Sequence, residues 1–227
     1  MQETLRLVAV SVIPILLAIT LHEVAHGYVA YKLGDNTAKF RGRLTLNPLA
    51  HIDPFGTIIF PLILYVATSG RFVWGWAKPV PINPYNFKNP RKGMAISAIA
   101  GPCTNFILAV VSAVLLVYAL IPAGGLASPA VAGSVLQPVA EMLKKSVLVN
   151  VILAAFNLIP IPPLDGGRVL AGILPTRQAY AVEKLERFGF IIVALLIFTN
   201  LANYIVLPII FFILKIISLI TGGYFLL

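Results

Sequence analysis

The sequence predicts an all-α integral membrane protein: a polytopic helical bundle with about five spanning helices, a re-entrant segment and short membrane-associated β or extended pieces. Of its 227 residues, 59% are hydrophobic and only 11% charged, and the mean hydropathy is +0.94. A soluble domain of this size carries about 25% charged residues. Apolar stretches recur at lengths near the ~20 residues that cross a bilayer. The 17 Lys and Arg outnumber the 8 Asp and Glu and gather beside those stretches, as they do in cytoplasmic loops. No basic stripe or recognition motif accompanies the net charge of +9, so the expected partner is the lipid bilayer and not nucleic acid. The length fits one membrane domain, residues 1–227, better than two.

In chain order, residues 5–32 read as one long helix, apolar first and amphipathic after Tyr28. No small-residue cleavage site follows its apolar run, so the segment is expected to stay in the membrane. Residues 36–52, NTAKFRGRLTLNPLAHI, alternate and carry β-branched and Asn-Pro signals, which predict a short strand or hairpin. FGTIIFPLILYVATSG is apolar but interrupted by Pro61, and too short to span. Basic loops at residues 32–43 and 71–92 flank it. If both loops are cytoplasmic, this segment dips into the bilayer and returns. Trp74 and Trp76, in the Pro-rich stretch that follows, suit the membrane interface. Further spans are expected near 93–121, 141–159, 188–201 and 203–220, with the N-terminus outside and the C-terminus inside. The 141–159 span breaks at NLIPIPPLDGGR, where three prolines and two glycines cannot continue a helix. The single cysteine, Cys103, excludes an internal disulfide and makes cysteine-based metal chemistry improbable.

The chemistry concentrates in LHEVAH. Histidines at i and i+4 share one helix face, so His22 and His26 can bind one zinc while Glu23 acts as general base. Five residues of this pattern arise by chance in many helices. Three ionisable groups in one turn of a membrane segment, however, are costly without a function. A catalytic zinc takes three protein ligands and leaves one position open. Among the eight acidic residues, Glu3, Asp35, Glu183 and Glu186 lie in terminal or basic loop segments. Glu141 has Lys144 and Lys145 beside it, and Asp53 follows His51 in a loop. Asp165 differs, since it sits in a broken helix between apolar segments beside Gly166 and Gly167. An ordinary Asp-Gly turn is the competing explanation.

LHEVAHGYVAYKLGD, AIAGPCTN and NLIPIPPLDGGRVL together resemble the signature regions of the site-2 protease family of intramembrane zinc metalloproteases. They occur in the family's order and cover about residues 5–172, leaving additional helices at about 180–227. GRLTLNPLAHIDPFGT and GWAKPVPINP resemble its shorter branch, without PDZ or CBS modules. The resemblance implies one Zn2+ per chain held by His22, His26 and Asp165, with Glu23 activating water. It implies a transmembrane protein substrate, cut in or near its membrane segment, for signalling or for clearance. Asn157, and less directly Asn105, would stabilise the oxyanion or hold the substrate backbone; helix–helix hydrogen bonding is their alternative. His51 would approach the zinc from the re-entrant segment, behind its ligands or as a ligand of the resting state, or would cap an interfacial turn. Edges near Thr45 and Val80 would capture unwound substrate by strand addition. Multi-pass placement in a prokaryotic plasma membrane, with the site open to the cytoplasm, completes the expectation. A non-catalytic zinc-binding scaffold or transporter is the rival reading, against which the presence of Glu23 argues.

Overall fold

A computed structural model of the chain describes residues 2–70, 75–199 and 201–225. The expected interfacial Trp74 and the start of the second basic loop lie outside the described residues.

Helix α1 (Gln2–Lys32) is 31 residues long, about 46 Å at 1.5 Å per residue. It stops because Gly34 adopts φ 108°, which lets Asp35 N–H reach back to Ala30 O at 2.9 Å and satisfies a terminal carbonyl. Asp35 then stitches distant chain together. Its fully buried carboxylate accepts from Thr37 N–H, Thr37 Oγ1, Asn83 N–H and Asn86 Nδ2 at 2.5–3.0 Å.

Residues 36–52 do not form a strand or hairpin; the described residues contain none. A short helix α2 (Thr37–Phe40) and a helical turn (Pro48–His51) occupy the stretch. Local bonds decide this, because the Asn47 side chain accepts from Leu49 N–H and Pro48 stands at the first helical position. Helix α3 (Pro54–Ala67) is apolar but shorter than a spanning helix needs to be. The chain reverses beyond it through Ser69 and Gly70, both at positive φ. It returns as an extended segment whose Trp76 and Lys78 N–H groups donate to Gly56 O and His51 O.

Helix α4 (Pro90–Leu126) runs 37 residues, five beyond the expected end of the span at residue 121. Its start is fixed by Asn89, whose side chain accepts from Lys92 N–H, and by Pro90. Helix α5 (Gln137–Asn157) follows and ends at the Pro-rich break. Then come α6 (Asp165–Ile173), α7 (Thr176–Leu185), α8 (Gly189–Phe198) and α9 (Leu201–Ile220). Among the described residues, three helices are long and apolar enough to cross a membrane: Val10–Lys32, Pro90–Leu126 and Leu201–Ile220. Helix α5 has the length but carries Glu141, Lys144 and Lys145, and α8 is ten residues long.

Helices α1, α4 and α5 pack together, with α6 against α4. Small residues make the close core, including Ala109, Ala113, Ala154 and Ala155 with Val147, Val151 and Ile159. In lipid there is little hydrophobic drive between helices, so small side chains that bring backbones into van der Waals contact are what bind them.

Candidate active site

Three elements bring the site together. His22 and His26 stand one turn apart on α1, and Asp165 opens α6, where a helix N-terminus favours a carboxylate. All three side chains are buried. His22 Nε2 and His26 Nε2 are 3.0 Å apart, and each lies 3.2 Å from Asp165 Oδ2.

Missing side chains permit this convergence. A Cβ on Gly101 of α4 would stand 2.4 Å from His26 Nε2 and 2.6 Å from His22 Cε1, so only glycine lets α4 close over the imidazoles. A Cβ on Gly166 would meet Leu158 O and Ile159 O at 2.4 Å, and one on Gly167 would meet Pro162 N at 2.3 Å. The two glycines let α6 start directly against the preceding Pro-rich turn, at the depth of the histidines. Arg91 completes the placement by donating to Ala171 O and Leu174 O at the other end of α6.

The ring nitrogens facing away from the centre are both occupied. His22 Nδ1 lies 2.6 Å from Asn105 Oδ1, and His26 Nδ1 lies 2.7 Å from Ser97 O. Both partners accept, so both Nδ1 atoms carry a proton, and each neutral ring presents its Nε2 lone pair inward. Asp165 Oδ2 is correspondingly a buried oxygen without a donor. Two lone pairs and a carboxylate oxygen then face one another, an arrangement that a divalent cation completes. Ligand atoms about 2.0–2.1 Å from a tetrahedral centre stand about 3.3–3.4 Å apart, close to the observed triangle. The donor set of two imidazoles and a carboxylate suits zinc.

Glu23 lies beside this triangle. Its Oε2 accepts from Val80 N–H at 2.8 Å, and the Val80 side chain fills the notch left by Gly27, one turn further along α1. The extended segment thus straps across Glu23, and Val80 N–H is spent on the carboxylate. Arg43 fixes the strap by donating to Lys78 O at 2.7 Å.

The remaining candidates are placed differently from the ligand triad. Asn105 is buried with its amide committed: Oδ1 to His22, Nδ2 to Asn150 Oδ1 at 2.8 Å and Ala18 O at 3.3 Å. Asn157 is half-buried and donates to Leu153 O of its own helix. His51 is 2% exposed, with Nε2 donating to Thr45 O at 2.9 Å and Nδ1 without a partner. It stays outside the triad, but its carbonyl holds the strap two residues before Val80. Sequence reasoning missed Ser97 and Asn150. Asn150 had a signal, a polar amide within an apolar stretch; Ser97 acts through its carbonyl and had none.

The profile of peptidase family M50 matches residues 10–144 and 123–199. YwhC of Bacillus subtilis, named as a zinc metalloprotease, is 40% identical over 204 residues, covering 90% of this chain and 87% of that protein. Rip2 of Mycolicibacterium smegmatis, similarly named, is 31% identical over 188 residues, 83% of this chain and 66% of its own. The zinc metalloprotease MJ0392 of Methanocaldococcus jannaschii is 27% identical over 172 residues, which are 36% of its length. No solved structure matches the chain.

Proposed function

Since the chain belongs to peptidase family M50, the site-2 proteases, and is therefore an intramembrane zinc metalloprotease, we propose that His22, His26 and Asp165 hold its zinc and that Glu23 is the general base. Supporting this is the convergence of His22 Nε2, His26 Nε2 and Asp165 Oδ2 within 3.2 Å of one another.

Zinc supplies Lewis-acid polarisation of the scissile carbonyl and a water that is nucleophilic near neutral pH. Asn105 and Ser97 keep the two imidazoles turned with their lone pairs inward. Glu23 takes the proton of the attacking water on the oxygen that Val80 leaves free and delivers it to the departing amine. The Val80 N–H bond holds the carboxylate in one rotamer for both transfers. Asn157, at the end of α5 where the helix breaks, is the amide assigned to the substrate: its Oδ1 and second N–H remain available. Asn105, fully committed to His22 and Asn150, positions a ligand instead. His51 supports Glu23 indirectly, through the strap.

The catalytic core comprises residues 5–172, with the later helices packed beside it. Helices α5 and the α8–α9 pair bring the number of spans to five, and α3 re-enters from the cytoplasmic face. The basic loops and the chain reversal at residues 68–70 support that topology. It opens the site to the cytoplasm of a prokaryotic plasma membrane. The substrate is a transmembrane protein whose helix must be unwound before cleavage, because a helix keeps its peptide groups in its own hydrogen bonds.

The test is zinc per chain, by elemental mass spectrometry of detergent-purified wild type and Asp165→Ala. About one zinc in the wild type and a large loss in the variant are expected. A variant that retains its zinc in full overturns the ligand assignment.

A further inference from the structure

A line of buried polar groups leaves the metal-facing histidines and crosses the helix bundle. Asn105 on α4 bonds His22 Nδ1 at 2.6 Å through Oδ1 and Asn150 Oδ1 at 2.8 Å through Nδ2. Asn150 on α5, 1% exposed, donates its own Nδ2 to Ser146 O at 2.9 Å and lies 3.2 Å from Ser146 Oγ. Ser112 Oγ meets Ser146 Oγ at 2.8 Å beside the end of the line. The catalytic chemistry uses neither Asn150 nor Ser146.

The line has a direction. A backbone carbonyl can only accept, so Ser146 O compels Asn150 to turn its NH2 outward and its oxygen towards Asn105. Asn105 must then offer NH2 to Asn150, an orientation that Ala18 O, 3.3 Å from the same nitrogen, also requires. That leaves the Asn105 oxygen facing His22, which places the ring proton on Nδ1 and the lone pair on Nε2. Reversing either amide would set NH2 against Nδ1 and drive the proton to Nε2, the atom that must be bare to bind metal. His26 needs no such line, because Ser97 O accepts from its Nδ1 directly at 2.7 Å. One histidine is thus oriented by a main-chain carbonyl at first hand, the other through two amides.

We infer that Asn150 is a positioning residue for the metal centre, fixing through Asn105 the tautomer in which His22 binds zinc. The inference rests on His22 being a zinc ligand. Partners behind a metal-binding histidine typically change metal affinity by about 10–100-fold when removed. Asn150 stands one residue further back, and Ala18 O retains part of the constraint, so a loss of about ten-fold is expected.

The experiment uses the zinc-loaded full chain in detergent, comparing wild type with Asn150→Leu, Asn150→Ser and Ser112→Ala. Zinc dissociation constants are measured by competition with a chromophoric chelator, and cleavage of a transmembrane peptide is followed with and without excess zinc. Asn150→Leu removes the acceptor and keeps the branched shape, with added bulk from its two methyl groups. Asn150→Ser keeps a polar group that is too short to reach Asn105, and so covers the case in which leucine prevents folding. Both are expected to bind zinc about ten-fold more weakly and to recover turnover when zinc is in excess, with KM unchanged. Ser112→Ala touches the same face without altering the line's direction and is expected to bind zinc as the wild type does. With the three histidines labelled at their ring nitrogens, the Nδ1–H resonance of His22 should move in the Asn150 variants while that of His26 stays. Wild-type zinc affinity in both Asn150 variants, or a loss that excess zinc does not restore, overturns the inference. A wild type that binds no zinc refutes instead the ligand assignment beneath it.

Discussion

Substituting Gly101 by alanine puts one methyl group where the structure has room for none. The new Cβ would stand 2.4 Å from His26 Nε2, 2.5 Å from His26 Cε1 and 2.6 Å from His22 Cε1. Comfortable carbon contacts begin near 3.5 Å, so about 1 Å must be found. The imidazoles cannot easily swing away, because Asn105 and Ser97 hold their far nitrogens. The α1–α4 contact must open or the rings must leave their lone-pair-inward setting. Overpacking of this kind costs about 1–3 kcal/mol. At 1.4 kcal/mol per ten-fold, zinc affinity should fall by roughly 5–150-fold if the whole cost falls on the zinc-bound geometry. The assay is chelator competition on purified Gly101→Ala, paired with peptide cleavage. Gly124→Ala is the control on the same helix, since nothing lies within 4 Å of its new methyl. Zinc affinity within two-fold of wild type in Gly101→Ala, with unchanged turnover, would refute the argument that this glycine exists to admit the imidazoles.

Glu23→Gln should retain one zinc per chain and lose about 10²–10⁴-fold in kcat, the usual range for a general base; turnover at the wild-type rate would remove Glu23 from the mechanism. Val80→Pro deletes the N–H that Glu23 accepts, in a segment that already has Pro79 and Pro81. A hydrogen bond to a charged group is worth about 1.5–3 kcal/mol, so kcat should fall by about ten-fold or more with zinc content intact. Val80→Ala keeps the N–H and should stay within a few-fold of wild type, and an equal loss in both would show that the side chain matters instead. Asp35 is held below the ordinary carboxylate range: burial raises its pKa, but bonds from Thr37, Asn86 and Asn83 outweigh it. A depressed folded-state pKa contributes stability that is complete above the unfolded value of about 3.9 and is lost as pH falls through the lower folded value. The detergent-solubilised wild type should therefore lose thermal stability below about pH 4 more steeply than Asp35→Asn, and parallel profiles would contradict the assignment.

HEVAH was readable because helical spacing alone puts two imidazoles on one face, and NLIPIPPLDGGR because its prolines and glycines forbid a regular helix wherever it lies. What the sequence could not reveal depends on atoms without side-chain identity or on partners far along the chain. Ser97 acts by its carbonyl and Val80 by its N–H, groups that every non-proline residue carries. Asp35 looked like a solvated charge in a basic loop, yet the loop folds back so that residues 83 and 86 bury it. The strand expected over residues 36–52 gave way because alternation over so few residues is weaker than an Asn-Pro cap that closes a turn locally. Asn105 was legible as a polar group near the site, but its pairing with Asn150, 45 residues away, was not.

The strap over Glu23 bears on how such an enzyme avoids trapping the wrong chains. The N–H groups of Trp76, Lys78 and Val80 all point to one side, towards Gly56, His51 and Glu23. In extended chain, alternate residues face oppositely, so Ala77, Pro79 and Pro81 make the outward edge. Two of these have no N–H, and that edge offers mainly carbonyls. A neighbouring polypeptide could have its own N–H groups accepted there but would find almost no donors for its carbonyls. Proline at an exposed edge discourages indiscriminate strand pairing. The prolines at 79 and 81 thus leave the outward edge of the strap with acceptors and few donors, so a chain laid along it could be held from one direction of hydrogen bonding only.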